Sequence, residues 1–306
     1  MPDEPSAAPP PVSRPDSQPV PPPGLVLVST PIGNLGDITI RARATLAAAD
    51  LVLCEDTRHT AGLLASLGIS ARMQALHEHN EDAAIPALLA RLAQGQRVAL
   101  VSDAGTPLLS DPGFRLTRAA IAAGAPVTAI PGPNAALTAL VLSGLPPLPF
   151  LMLGFPPARS AARRAEFGRL RAAERAGLSA TLIWHEAPHR LPEMLADLAG
   201  AFGDRPAAVA RELTKRFEEV HRASLPDLAR HYAATPPRGE ITVLIGPPPP
   251  EQPDAEDLDA RLRAALAQHS VKDAAALIAT ATGLPRRLVY ARALALTDDV
   301  PTNNDQ

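Results

Sequence analysis

Carboxylates, glycines and prolines are concentrated in one stretch of the sequence, VSDAGTPLLSDPGF at residues 101–114. This stretch follows an apolar run typical of a buried strand and precedes a helical pattern, and in α/β sheets such loops bind ligands. Gly105 and Gly113 allow backbone N–H groups to come close to a ligand, while Asp103 and Asp111 supply carboxylates. The stretch contains no lysine or arginine that could hold a phosphate. We therefore predict a site for a small molecule that carries hydroxyls and positive charge, rather than for a nucleoside triphosphate.

Two further loops have the same character, at residues 29–36 and 131–134. Each follows an apolar run of strand length and precedes a helical pattern. Because the carboxyl ends of parallel strands meet at one edge of a sheet, we expect all three loops to line one cleft. In the central loop, Asp111 suits an N-cap and Pro112 suits the first helical position, which predicts a helix over 112–123.

Strands that alternate with helices predict crossover connections and a mostly parallel sheet from residue 24 onward. A segment rich in Pro and Gly near residues 143–149 separates this part from a second α/β unit, which contains a strongly basic helix at 159–175. Two short helices joined by a glycine turn near the C-terminus resemble a helix-turn-helix. We predict a disordered Pro-rich tail at 1–23, two α/β domains at 24–145 and 146–247, and a helical tail at 255–298.

Composition limits the class of protein. The chain has 306 residues, 46% of them apolar and 3% aromatic, and a net charge of −3, which gives no overall case for a nucleic-acid binder. Its only cysteine, Cys54, cannot form an internal disulfide, in keeping with a reducing compartment. No apolar run reaches membrane-spanning length, so we expect a soluble, cytoplasmic protein.

The first loop does not settle the kind of nucleotide site on its own. A Rossmann fingerprint needs G-x-G-x-x-G, and this turn offers only Gly33 and Gly36. No Walker A sequence is present. The three loops together, rather than the first one alone, indicate a ligand site.

Eight sequence blocks together carry a resemblance to a known family. They are STPIGNLGD (29–37), CEDTRHT (54–60), LHEHNE (76–81), VSDAGTPLLSDPGF (101–114), PGPNA (131–135), EAPHR (186–190), RELTK (211–215) and RGEITVLIG (238–246). In this order they resemble one branch of the tetrapyrrole (uroporphyrin-III C/precorrin) methylase superfamily, the branch that methylates small-subunit ribosomal RNA. The resemblance covers about residues 24–246, and the C-terminal helices are similar to that branch's tail.

This resemblance implies a homodimer of two α/β domains of the non-Rossmann methylase type, with S-adenosylmethionine bound in the cleft between them. It also implies methylation of the ribose 2′-hydroxyl of a cytidine in the decoding centre of 16S rRNA, within the 30S subunit. The cofactor contacts that follow from it are Pro31, Gly33, Asp103, Ala104, Gly105, Thr106, Asp111, Pro131, Gly132, Asn134, Leu213 and Gly239.

A ribose hydroxyl holds its proton far above neutral pH, so transfer to it needs a base or a group that favours the alkoxide. The candidates on the acceptor side are Asp56, Arg58, His79, Glu81 and Lys215. Each has an ordinary alternative. The first two residues could simply pair at a helix start, the acids after Asn80 could stabilise a helix N-terminus, and Lys215 could be a surface lysine.

Other residues also leave alternatives open. Trp184 and His185 either stack on a base or fill a core, and the arginines at 163, 164, 169 and 171 either face solvent or follow rRNA phosphates. His77 and His79 are weak evidence for a metal, and we expect none. The rival functions are a tetrapyrrole C-methylase on the same fold and a non-catalytic RNA-binding protein that uses the helix-turn-helix.

Overall fold

The computed structural model describes residues 22–249 and 255–298. The predicted tail at 1–23 therefore lies, apart from its last two prolines, outside the described residues. The chain divides into two compact units, one ending at Gly246 and the other beginning at Pro247. Within the described residues, no helix combines the length and the apolar character needed to cross a bilayer.

The first sheet has five strands in the order β3-β2-β4-β1-β5, all parallel. Apart from Arg97, its central strands are apolar and largely buried on both faces, as parallel sheets covered by helices require. The elements are β1 (Gly24–Val28), α1 (Ile40–Ala47), β2 (Leu51–Cys54), α2 (Thr57–Ser66), β3 (Met73–Ala75), α3 (Glu81–Ala93), β4 (Arg97–Val101), α4 (Phe114–Ala122), β5 (Val127–Ile130) and α5 (Ala135–Ser143).

The second sheet also has five strands, in the order β6-β7-β10-β8-β9. Only the pair β6–β7 is parallel, and the three remaining pairs are antiparallel. The elements are β6 (Phe150–Met152), α6 (Ser160–Arg175), β7 (Thr181–Glu186), α7 (Leu191–Phe202), β8 (Pro206–Arg211), β9 (Glu219–Ser224), α8 (Leu225–Ala234) and β10 (Ile241–Ile245).

Helix α5 joins the two sheets. It follows the last strand of the first sheet, yet its buried residues Ala139 and Leu140 belong to one apolar cluster with Ile183 and Leu244 of the second sheet. Ile32, from the loop after β1, belongs to the same cluster. One face of the second sheet is thus covered by parts of the first half of the chain, while α6, α7 and α8 contribute to the cluster on the other face.

Side-chain caps fix several helix starts. Thr39 accepts from the N–H of Ala42 (3.0 Å) and so caps α1. Asn134 caps α5 by accepting from the N–H of Leu137 (3.0 Å).

Helix α4 begins later than the sequence predicted. Its N-cap is Gly113, whose φ of 117° is open to glycine but strained for other residues, and the first helical residue is Phe114. A Cβ at Gly113 would collide with the side chain of Leu100. The prediction of an Asp111 cap with Pro112 at the first helical position was therefore wrong.

The second unit contains α9 (Ala255–Leu266), α10 (Val271–Thr282) and α11 (Arg286–Asp298). Leu262, Ala274 and Val289 are fully buried, one from each helix. Ser270 caps α10, and Gly283 ends it in the left-handed conformation. Arg292 of α11 donates to Asp259 of α9 (2.7 Å).

Candidate functional site

The three loops rich in Gly and Pro meet at the carboxyl edge of the first sheet. Thr30 and Gly105 exchange two backbone hydrogen bonds, of 2.9 and 3.2 Å. Thr106 Oγ1 donates to the carbonyl of Pro133 (3.3 Å) and accepts from the side-chain amide of Asn134 (3.2 Å). The convergence that the sequence predicted for these loops is therefore observed.

Beside these loops lies a cleft of about 330 Å³, in the range of small-molecule sites. One wall comes from the loop after β4 and from the start of α5. The other wall is the face of the second sheet that packs on α5. The predicted cofactor residues that line this cleft are Ala104, Gly105, Thr106, Asp111, Asn134, Leu213 and Gly239.

Gly105 has a backbone conformation that only glycine adopts without strain, with φ at 84°. A Cβ built there would lie 3.2 Å from the Cγ2 of Ile32, a tight contact. The missing side chain thus lets the loop after β4 pack closely against the loop after β1, where the N–H and the carbonyl of Gly105 pair with Thr30.

Carboxylates gather at one end of the cleft. Burial, together with the charges of Glu55 and Asp103, raises the pKa of Asp111 to about 6. Asp103 is half-buried, and its Oδ1 accepts from the backbone N–H of Asp56 (3.2 Å). A positively charged ligand would relieve the repulsion among these acids, so the site favours a cation.

A second cavity, of about 540 Å³, adjoins the cleft and shares Ile32, Ala104 and Glu240 with it. We call it the side cavity. Unlike the cleft, it is lined by basic side chains, those of Arg58 and Lys215. Among the predicted site residues, it is lined by Pro31, Gly33, Arg58, Asp103, Ala104 and Lys215.

Lys215 is held in place in the side cavity by two carboxylates. Its Nζ lies 2.9 Å from Glu212 Oε1 and 3.2 Å from Glu240 Oε2, and its aliphatic stem occupies the space that a Cβ on Gly33 would need. Burial alone would lower the pKa of Lys215, but its hydrogen bonds to Glu212 and Glu240 outweigh burial and raise it. The amine is therefore a fixed cation at neutral pH.

The loop that carries this lysine is strained. Glu212 and Thr214 are not glycine, yet they have φ values of 50° and 65°. Such strain persists only where surrounding contacts hold it, and it concentrates at functional sites. Here Glu212 Oε1 accepts from both the Lys215 amine (2.9 Å) and the N–H of Glu240 (3.0 Å).

Asp56 and Arg58 pair with each other at the start of α2, which was the alternative to a role on the acceptor side. Asp56 caps α2, accepting from the N–H of Arg58 (2.8 Å), and its other oxygen lies 2.8 Å from the guanidinium. The hydrogen bond from the Arg58 side chain, followed by that from its backbone, holds the pKa of Asp56 well below its usual range. Asp56 is therefore a poor base, while Arg58 still reaches the side cavity.

Glu81 lines neither the cleft nor the side cavity. Its buried carboxylate accepts from the N–H of Leu116 (2.8 Å) and from Arg115 Nε (3.3 Å). Leu116 is in the first turn of α4, where the glycine N-cap offers no side chain. Glu81 thus caps α4 from outside the helix, which gives it a structural role.

Three other predicted residues, His79, Pro131 and Gly132, also line neither cavity. His79 is exposed. At Gly132 a Cβ would lie 2.8 Å from that of Ser29, so this glycine allows two loops to pack together.

His185 and Thr242 face the cleft from adjacent strands of the second sheet. The sequence left His185 only the choice between stacking on a base and filling a core, and nothing in it indicated Thr242. His185 Nδ1 lies 3.2 Å from Thr242 Oγ1, and burial lowers the pKa of His185, so the ring is neutral. Phe155 packs against this ring at 5.7 Å. The neighbouring Trp184 points to the opposite face and is fully buried against Phe167, which resolves that alternative in favour of a core role.

The sequence of residues 24–229 matches the family model "Tetrapyrrole (Corrin/Porphyrin) Methylases". Among solved structures, the methyltransferase CobJ aligns with a TM-score of 0.53 at 21% identity, covering 73% of this chain and 94% of its own. A diphthine synthase aligns equally well, with a TM-score of 0.53 at 16% identity, over 72% and 90%. With its two sheets and shared cleft, the chain belongs to the tetrapyrrole methylase family.

Within this family the relationship is more specific. The protein named "Ribosomal RNA small subunit methyltransferase I" from Mesorhizobium japonicum is 49% identical over 90% of this chain and 93% of its own. The protein of the same name from Escherichia coli O157:H7 is 43% identical over 88% and 94%. Residues 252–297 match the family model "RsmI C-terminal HTH domain". The chain is a member of the ribosomal RNA small subunit methyltransferase I family.

Proposed function

We propose that this chain transfers a methyl group from S-adenosylmethionine to the ribose 2′-oxygen of a cytidine in the decoding centre of 16S rRNA. The observation that carries the proposal is the pair of adjoining cavities: a largely apolar cleft with the carboxyl of Asp111 on its wall, and a side cavity that holds Lys215 as a fixed cation. Such a pair suits a cationic donor beside an anionic nucleic-acid acceptor. The names of the relatives support the rRNA as substrate.

The cleft fits the donor on three counts. Its volume of about 330 Å³ is within the range of small-ligand sites. The carboxyl of Asp111 on its wall, with Asp103 nearby, complements a sulfonium or an ammonium. Gly105 lines the cleft without a side chain that would take up its space. When bound, the donor supplies an electrophilic methyl group on a positively charged sulfur.

The residues of the side cavity act on the acceptor. Methyl transfer to a hydroxyl is an in-line displacement, so the protein must mainly align the oxygen and stabilise its developing charge. Lys215, kept cationic by Glu212 and Glu240, stabilises the alkoxide rather than taking its proton. We assign the hydroxyl proton to Asp103, which lines this cavity, and the RNA phosphate to the exposed Arg58.

The proposal also covers the oligomeric state of the enzyme, the form of its substrate and its compartment. We propose that the enzyme acts as a homodimer on the assembled 30S subunit in the cytoplasm. The apolar side chains of Leu137 and Val141 on α5 are 48% and 75% exposed, and a partner subunit would cover them.

The test is methyl transfer with isotopically labelled donor to three acceptors: 30S subunits, naked 16S rRNA and uroporphyrinogen III. We expect label in 30S subunits taken from cells that lack this protein, and none in the tetrapyrrole. A 2′-O-methyl group makes the adjacent phosphodiester resistant to alkali, so hydrolysis followed by mapping identifies the nucleotide. Label on the tetrapyrrole would instead support the rival function on the same fold. Donor binding without transfer to any acceptor would support a non-catalytic RNA-binding protein.

A further inference from the structure

A groove of about 430 Å³ runs between α6 and α7, on the face of the second sheet opposite the cleft. It shares no lining residue with the cleft or the side cavity. One wall carries Arg164, Arg171 and Arg175 of α6, and the other consists largely of small residues of α7, namely Ala196, Gly200 and Ala201.

The spacing of the α6 residues places them along one side of the helix. Arg164, Gly168, Arg171 and Arg175 follow one another at intervals of four, three and four residues. A Cβ added at Gly168 or Gly200 would meet no atom within 4 Å. The groove is thus open between its two helices, with guanidinium groups along about 16 Å of one wall, given a rise of about 1.5 Å per residue.

The carboxylates near the groove are already paired with buried arginines. Asp197 lies 2.6 Å from the guanidinium of Arg163, which is 1% exposed. Glu174 lies 2.7 Å from Arg205, which is equally buried. With Glu193, which lies 3.5 Å from Arg163, three carboxylates contact this group of five arginines, so the groove keeps an excess of positive charge.

These contacts also separate the arginines of α6 by role. Arg163, one of the four that the sequence put forward for rRNA phosphates, is a core residue instead. Arg164 is 61% exposed, and its guanidinium lies 3.5 Å from Asp197, farther than the guanidinium of Arg163 does. Arg171 lies 3.1 Å from Glu174 and remains one third exposed, while Arg175 is exposed.

We propose that this groove binds the phosphodiester backbone of the substrate RNA, as a contact separate from the methyl-transfer site. The inference rests on the proposed function for the identity of the substrate. Planar guanidinium groups match phosphate oxygens in a bidentate manner, and the small residues of α7 leave room for the sugar-phosphate chain. Because no aromatic residue lines the groove, the contact positions the RNA without reading its bases.

The first test is the double variant Arg164→Ala/Arg175→Ala, assayed for binding to 16S rRNA across a range of salt concentrations. Loss of up to two phosphate contacts should lower the slope of log K against log salt by about 1 to 2 and weaken binding about tenfold at moderate salt. Donor affinity, measured by calorimetry, should stay unchanged. The matched control, Arg43→Ala/Arg118→Ala, removes two exposed arginines from the first half of the chain.

The second test fills the groove and leaves its charge intact. Gly200→Leu places a side chain into open space, so the fold should tolerate it while RNA affinity falls several-fold. An unchanged salt slope in the arginine variant, or a loss no larger than that of its control, would overturn the proposal. So would normal RNA binding by the filled groove. If the unmodified chain fails to transfer methyl groups while both variants still weaken RNA binding, the proposed function is refuted and the RNA-binding role of the groove stands.

Discussion

The cleft and the side cavity share residues yet are built in opposite ways. The cleft is largely apolar, has the partly buried carboxyl of Asp111 on its wall, and depends for its shape on the glycine at 105. The side cavity contains Lys215 and Arg58, whose positions depend on ion pairs. Under the proposed function, donor binding depends on the shape of the cleft and acceptor binding on charge. Variants that alter only one of these should therefore separate affinity from turnover.

The largest effect is expected from Gly105→Val. A β-branched residue at a φ of 84° is strained and would crowd Ile32 at the edge of the cleft, so donor affinity should fall by about 100-fold or more. Calorimetric titration with S-adenosylmethionine measures this effect.

The matched control is Gly124→Val, at a φ of 72° where a Cβ meets no atom within 4 Å. It should lose similar stability and keep its donor affinity. Equal donor affinity in the two variants would show that the cleft does not depend on the backbone at Gly105.

Lys215→Met removes the cation and keeps an aliphatic stem over Gly33. Turnover should fall by about 100-fold, the usual cost of losing one electrostatic contact to a transition state, while donor affinity changes little. Lys272→Met, at the only other lysine of the chain, is the control. A matching loss of donor affinity in Lys215→Met would mean that the two cavities are not functionally distinct.

The acidity of Asp111 gives the cleft a pH dependence. With a pKa near 6 rather than its ordinary 3.8, this carboxyl becomes charged between about pH 5 and pH 7, so affinity for a cationic donor should rise about tenfold over that range. In the absence of donor the same shift favours folding below about pH 4, and this contribution is lost as the pH rises past 6.

Asp111→Asn should remove most of this rise in donor affinity. His185 also faces the cleft and would repel a cation if protonated, so His185→Asn serves to separate the two groups. A rise that persists in Asp111→Asn and disappears in His185→Asn would assign the pH dependence to the histidine.

The smallest effect on activity is expected from Glu81→Ala. This variant leaves the N–H of Leu116 and the guanidinium of Arg115 without their buried acceptor, which should cost about 1–3 kcal/mol of unfolding free energy. Catalytic constants should stay within about twofold. Asp82→Ala removes the exposed partner of the same arginine and should cost less than about 1 kcal/mol. A large fall in turnover at unchanged stability would restore a catalytic role for Glu81.

Local patterns in the sequence were sufficient to predict the first sheet and the convergence of its loops. Continuous apolar runs separated by helical periods leave few arrangements other than parallel strands with crossovers. The start of α4 was mispredicted because its cap comes from Glu81, which is far away in the sequence. The sequence of the loop alone favours Asp111, and no local signal shows that the chain turns through Gly113 instead.

The second half was harder to predict for the same reason. Strand β9 begins at Glu219, after a loop in which Glu212 and Thr214 adopt positive φ values that no local pattern predicts. His185 and Trp184 are neighbours on one strand, so their side chains point to opposite faces of the sheet. Their roles could not be assigned from the sequence because it does not show which face borders the cleft. The roles proposed for Lys215 and for the cofactor residues stay predictions until the variants are measured.

The packing of α5 has a consequence for folding. This helix belongs to the first half by chain order and completes the core of the second half by contact. A protease cut between residues 144 and 149 should therefore yield two pieces that remain associated, and neither piece should fold when expressed alone. Thermal melting of the α/β body should accordingly be one cooperative transition rather than two.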